Sequence, residues 1–201
     1  ERTSLALALT GRLPLSGGTI SWSKGDDEPR RISMKRLRAL SSVVDSPDVT
    51  APEQHMRVHD YVSEMLSYNL PIFGRSRASR WLAERGLEEL DSLWMDEISG
   101  EMNIELMAAL AQHSPSDLLV FDTPSRHLNH TYMWLPYLEE LAADEDHPRT
   151  VVAVVPHISE SWHGARAVVG RVPEENVPAP VEGEIEPSND SPEHGENAEK
   201  E

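Results

Sequence analysis

The residues most able to do chemistry in this chain are polar groups that follow long apolar runs. Asp122 closes the run Leu118-Leu119-Val120-Phe121, and His157 follows Thr150–Val155 and Pro156. In an open parallel sheet, polar residues just beyond the strand C-termini line the ligand crevice. A carboxylate in that position can hold a hydrated Mg²⁺ beside nucleotide phosphates. It can equally cap the turn that follows, because Asp-Thr-Pro-Ser over 122–125 is good turn chemistry. His157 is open to two readings, a contact to a phosphate or water and an ordinary loop histidine. His127 and His130 stand three apart without an evident third ligand, and the remaining histidines form no H-E-x-x-H pattern. The chain has no cysteine, which removes disulfides, thiolate metal sites and thiol nucleophiles.

Strands and helices must present these groups. Asp117–Asp122 and Thr150–Val155 are nearly continuous apolar runs without alternation, as in parallel strands buried on both faces. Both are expected as inner strands, with Asp122 and His157 on one edge of the sheet. A helical pattern over Tyr132–Ala143 lies between them, and this βαβ spacing favours a parallel α/β sheet. Further helices are predicted over Thr3–Leu13, Val58–Tyr68, Arg77–Arg85 (closed by Gly86) and Asn103–Gln112. In the second of these, Val58, Tyr61, Val62, Met65 and Leu66 follow the 3.6-residue period. Thr19–Trp22 and Ala39–Val44 read as short strands, and Ala165–Val172 as a last one.

Composition limits the partners. With 18 Lys and Arg against 35 Asp and Glu the formal net charge is −17, which argues against a nucleic-acid binder working by phosphate neutralisation. No apolar run approaches the roughly 18 residues of a membrane span. Residues 173–201 hold ten acidic residues, five prolines and one lysine, a net charge of −9. Such a segment cannot bury enough apolar surface to offset its ordering entropy and is expected to be disordered. It is either a solubilising tail or a docking tail for a basic partner.

The order of the segments resembles the ATP-binding cassette (ABC) ATPases in a degenerate form. Arg2-Thr3-Ser4-Leu5 is similar to the end of the family's phosphate-binding loop. Leu13–Ile20 resembles the stretch after its helix, and Val43-Val44-Asp45-Ser46-Pro47 the Q-loop. Ile98-Ser99-Gly100-Glu101-Met102 stands where the signature LSGGQ would be. Asp117–Asp122 resembles the Walker B strand, Arg126–Asn129 the D-loop, and Thr150–His157 the switch-histidine strand. The resemblance implies a P-loop NTPase-like fold over residues 1–172: a mainly parallel sheet with flanking helices and a helical subdomain at about 48–98. It implies ATP and Mg²⁺ as ligands, with Arg2, Thr3, Asp45, Ser99, Gly100 and Asp122 binding the nucleotide. Thr3 and Asp122 would hold the metal, and Thr123 and His157 would occupy the catalytic positions.

The departures from the family pattern bear on activity. The sequence begins at Glu1, so the family's glycine-rich stretch is not part of it, and Arg2 stands at the Lys position. Asp45 replaces the Q-loop Gln, Glu101-Met102 replaces Gly-Gln, and Asn129 replaces the D-loop Asp. Thr123 replaces the general-base Glu, and a threonine cannot accept a proton at neutral pH as a carboxylate can. Two readings follow, a degenerate cassette that still pairs with a partner and a truncated copy of a longer protein. The resemblance therefore implies an ATP-binding subunit with weak or absent hydrolysis and leaves its standing as an enzyme open. The alternative is a non-enzymatic binding or regulatory module that keeps the fold. The family's partners are a membrane permease and a second ATP-binding subunit, in a homo- or heterodimer at the cytoplasmic face of the membrane. In that setting Val58–Leu66 would carry part of the permease-docking surface; the same stretch also fits ordinary core packing.

Overall fold

A computed structural model describes residues 1–23, 25, 27–69, 78–128 and 130–170. Two compact units divide the chain, Glu1–Trp162 and His163–Glu201. The first unit carries all the described helices and strands: α1 (Arg2–Leu9), β1 (Ser21–Trp22), β2 (Arg30–Arg31), α2 (Met34–Leu40), β3 (Ser41–Val44), α3 (Val58–Asn69), α4 (Ala78–Ala83), a 3₁₀ turn at Glu88–Leu90, α5 (Gly100–Gln112), β4 (Leu118–Asp122), a 3₁₀ turn at Pro124–Arg126, α6 (Thr131–Ala142) and β5 (Thr150–Val154). In the second unit the described residues 163–170 are exposed and form neither helix nor strand.

β3, β4 and β5 form a parallel sheet in that order, with Val44 opposite Phe121 and Asp122 opposite Val154. β4 is central and buried along its whole length. Its side chains alternate between two apolar layers, as the two-residue period of a strand requires. Leu118 and Val120 face a layer with Ala6 of α1, Leu37 of α2 and Val43. Leu119 and Phe121 face a larger layer built by α3, α4, α5 and α6. The result is helices on both faces of a short parallel sheet. β1 and β2 form a separate antiparallel pair.

Several expectations are corrected. Among the described residues β5 is not an inner strand: it lies at the sheet edge, with its first residue exposed and the next three only half-buried. An unalternating apolar run reports burial by helices on two faces and carries no information about whether a second strand pairs on its far side. Residues 165–170 are not a strand, and Val168 and Val169 are largely exposed there. Residues 171–172, the acidic stretch 173–201 and Arg77 lie outside the described residues. Ala39 and Leu40 end α2, so the strand starts at Ser41. The apolar stripe of α3 is not an outward docking surface: Val58, Tyr61, Val62 and Leu66 are buried in the chain's own core with α5 and α6. The described helices of 48–98 thus share one core with the rest of the first unit.

α1 stops four residues short of the expected Leu13 because Gly11 adopts φ +70, the left-handed conformation that ends helices. Thr10 donates its hydroxyl back to the Ala6 carbonyl, and Arg38 donates to the Gly11 carbonyl. A Cβ at Gly11 would sit 2.6 Å from the Met34 carbonyl oxygen, whereas one at Gly18 (φ +81) would meet nothing. Gly18→Ala should therefore cost only the left-handed penalty of about 1–2 kcal/mol. Gly11→Ala should cost distinctly more, because α1 must also move off α2. Urea denaturation of both variants checks the difference; equal losses would show that the α1–α2 contact yields without strain.

Candidate functional site

β3 and β4 run parallel with Val44 opposite Phe121, so the next residues, Asp45 and Asp122, leave the sheet side by side at its C-terminal edge. Both carboxylates are buried, with 2% and 1% exposure. Each strand then turns sharply. Asp45 (φ 53) and Thr123 (φ 59) are both left-handed, an uncommon state for a non-glycine residue and a true outlier for a β-branched one. Residues held in such conformations cluster at ligand clamps and active sites, where the surrounding structure enforces them.

A closed network enforces them here. The Ser46 hydroxyl donates to Asp122 Oδ2 at 2.9 Å and the Thr123 hydroxyl to Oδ1 at 3.1 Å. The Arg126 guanidinium donates to two backbone carbonyls, that of Asp45 at 2.9 Å and that of Asp122 at 2.6 Å. It thereby ties the two strand ends together. His127 Nε2 donates to Asp45 Oδ2 at 2.8 Å, while Asp45 Oδ1 is buried with no partner. Thr123 N–H donates to the Val154 carbonyl and so links the turn to β5. Below Asp45, Ser46 N–H donates to Thr50 Oγ1, and the Tyr61 hydroxyl donates to the Thr50 carbonyl. Burial first, then the negative charge of Asp45 and Glu64, raises the Tyr61 phenol above its ordinary pKa. A cleft of about 800 Å³ opens beside β3, with Asp45, Tyr61, Met65, Met107 and Arg126 among its walls.

The remaining candidate residues arrive by other elements. Ser99 caps α5, its hydroxyl accepting from Met102 N–H at 3.2 Å. Gly100 begins that helix, and a Cβ there would fall 2.2 Å from the His127 carbonyl oxygen. The start of α5 is therefore pressed against the segment that follows β4. Arg2 and Thr3 form the first turn of α1. The other end of α1 is pinned to the start of β3, where Ser41 Oγ donates to the Thr10 carbonyl. Neither Arg2 nor Thr3 makes a hydrogen bond to the Asp45–Asp122 network. His157 lies three residues past β5 at the same edge, exposed and without a hydrogen bond to Asp122. The structure thus bonds Thr123 directly to Asp122, connects Asp45 to them through Arg126, sets Gly100 against His127, and leaves Arg2, Thr3 and His157 outside the network.

Ser46, Arg126 and His127 are network members that sequence reasoning had not singled out as site residues. Their signal is positional: each lies within five residues after the end of a buried parallel strand. Asn129 of the D-loop-like stretch lies outside the described residues.

Chemically the site is rich in acceptors. No group of three His, Asp or Glu side chains among the described residues makes a metal cage. Mg²⁺ is commonly held by one or two carboxylates together with phosphates and water; Asp122 is a carboxylate at the strand end, with both oxygens already accepting from hydroxyls of the chain. Thr123 has its hydroxyl committed to Asp122 and offers no proton acceptor.

No model of a protein family matches the chain, and no curated protein matches it in sequence. Among solved structures, one described as an ABC transporter ATP-binding protein from Pyrococcus furiosus is similar, with a TM-score of 0.53 and 13% identity. The match covers 79% of this chain and 74% of that one. The likeness is one of fold, and it accords with the α/β architecture of three parallel strands flanked by helices.

Two substitutions test the network by chemical denaturation at neutral pH. His127→Ala removes the donor to Asp45 and leaves a buried carboxylate without a partner, a loss expected at about 1–3 kcal/mol. Thr123→Asn should be neutral or stabilising by up to about 1 kcal/mol. Asparagine tolerates the left-handed conformation that strains a threonine and can still donate to Asp122. A Thr123→Asn protein clearly less stable than the parent would show that the turn carries no strain to relieve.

Proposed function

We propose that the chain is a nucleotide-binding domain of the ABC ATP-binding type with weak or absent hydrolysis. The observation that carries this reading is the position of Asp122. It is a buried carboxylate at the end of the central parallel strand, beside Asp45, in a fold similar to an ABC transporter ATP-binding protein. In this reading Asp122 and Thr3 hold Mg²⁺, Arg2 and Asp45 border the phosphates, and Ser99-Gly100 faces the nucleotide of a second subunit. His157 stands at the switch position and Thr123 where the family's general base would be. ATP with Mg²⁺ is the ligand, and a membrane permease and a second ATP-binding subunit are the partners. The working place is the cytoplasmic face of a membrane. Among the described residues no helix is long and apolar enough to cross a membrane.

Weak turnover follows from the residues present. A positioned general base contributes about 10²–10⁴-fold in rate, and the Thr123 hydroxyl supplies none of it. Asp45 adds a buried negative charge where the family places a neutral amide, which disfavours the anionic γ-phosphate. The second reading, a binding or regulatory module without catalysis, draws on the closure of the network. Both Asp122 oxygens are already engaged by hydroxyls of the chain, and a nucleotide-bound metal would have to displace or share them.

Binding of a fluorescent ATP analogue to the full chain, with and without Mg²⁺, tests the proposal together with steady-state phosphate release. The expected result is Mg²⁺-dependent binding that Asp122→Ala weakens at least tenfold, with turnover well below about 1 s⁻¹. Thr123→Glu alone should not restore hydrolysis, because residues that act as a unit are not additive. Absence of nucleotide binding would favour the non-catalytic module. Turnover of about 1 s⁻¹ or more from the unmodified chain would overturn the assignment of Thr123.

A further inference from the structure

Charge is strongly divided along this chain. Eight of the 18 basic residues precede Asp45, against four acidic ones, so the first 44 residues carry +4 and the remainder −21. Five of the eight fall in the nine residues from Arg30 to Arg38, a stretch without a carboxylate. The structure places Arg30 and Arg31 on β2 and Lys35, Arg36 and Arg38 on α2, and all five are exposed. α2 buries Leu37 against the sheet and turns its cations outward. Arg38 is engaged by the Gly11 carbonyl. Among the described residues none of the five forms an ion pair, although acidic residues outnumber basic ones about two to one in the whole chain.

An apolar groove adjoins these cations. Leu15, Ile20, Ile32 and Met34 line it together with Arg31, and the cavity measures about 570 Å³. Leu13 and Leu15 are exposed large aliphatic side chains at 38% and 37%. Guanidinium and ammonium groups beside exposed aliphatic ones match the interface of an anionic bilayer, where phosphates meet the cations and the acyl boundary accepts the leucines. A single-stranded nucleic acid would call for aromatic stacking platforms. The groove has none, and the neighbouring Trp22 packs against the core beneath the sheet. The acidic remainder of the chain is repelled by the same surface, so only the basic face can approach within a Debye length of about 8 Å.

We infer that residues 30–38 and the adjoining Leu13–Leu15 segment form a docking face for the anionic surface of a lipid bilayer. This face is separate from the Asp45–Asp122 network, and its assignment does not depend on nucleotide binding. The test is co-sedimentation of the full chain with phosphatidylcholine vesicles, with and without phosphatidylglycerol, over a range of salt. Binding should require phosphatidylglycerol and weaken as salt rises. Each basic residue near such a surface is worth about fivefold in partitioning, so Arg30→Gln/Arg31→Gln/Lys35→Gln/Arg36→Gln should lose at least ~100-fold. Leu13→Ser/Leu15→Ser should lose several-fold, and the control Arg80→Gln, on α4, should bind like the parent. If circular dichroism shows the fourfold variant unfolded, Lys35→Gln/Arg36→Gln, both on the exposed side of α2, should still lose about 25-fold. Failure of the parent to bind anionic vesicles overturns the inference, as does equal binding by the fourfold variant or an equal loss in the control. Binding of RNA or DNA through the same residues without vesicle binding also overturns it. Nucleotide binding measured on the same variants should be unchanged, so failure at the membrane face and failure at the nucleotide site can be told apart.

Discussion

β4 is paired on both edges and covered on both faces, and each structural feature near the candidate site follows from that enclosure. Its backbone groups are taken by β3 and β5, and its side chains by two helical layers. A strand so enclosed can turn polar only where it leaves the sheet, and there it carries Asp122. A carboxylate at 1% exposure must be met by donors, because an unanswered buried charge costs several kcal/mol. Ser46 and Thr123 supply hydroxyls to it, and Arg126 fastens the adjacent carbonyls. The left-handed backbones of Asp45 and Thr123 are the geometric consequence: both strand ends must fold back at once for these donors to converge.

The same enclosure shapes the elements farther from β4. The start of α5 approaches the His127 carbonyl so closely that only glycine fits at position 100. A residue that in the family pattern marks a nucleotide-facing signature is, within this chain, also required by packing. The site is thus a cluster whose polar side chains bond one another within the chain, except for one unsatisfied acceptor at Asp45 Oδ1. Within the cluster the Thr123 hydroxyl is committed to Asp122 and the His127 imidazole to Asp45. Charge follows a different logic: the cations of β2 and α2 lie on the surface without an ion pair among the described residues, Arg38 alone of them donating to a backbone carbonyl, that of Gly11, whereas Arg126 and Arg149 are spent on backbone carbonyls of the core.

What the sequence determined by itself is the local part of this architecture. The run Leu118–Phe121 reads as a doubly covered strand because no polar residue interrupts it, and β4 is one. The apolar period in α3 and α5 locates both helices, since the side that must be buried recurs every 3.6 residues. Asp122 stands out because a charge at the end of such a run must lie at a strand terminus. The side-by-side placement of Asp45 and Asp122 was within reach only through the family resemblance.

Tertiary structure decided what depends on neighbours. Whether β5 lies inside the sheet or at its edge is a question of strand pairing, and hydropathy reports only face burial. Whether the apolar stripe of α3 meets a partner or the chain's own core depends on α4, which follows it, and on α5, which lies about thirty residues further on. The partner of His127 is 82 residues distant and so cannot be read from its local spacing to His130, and Arg126 gains its role only once two strand ends stand side by side. Local propensity and period act over a few residues; pairing, capping across strands and the satisfaction of buried charge act across the chain, and these decided the form of the site.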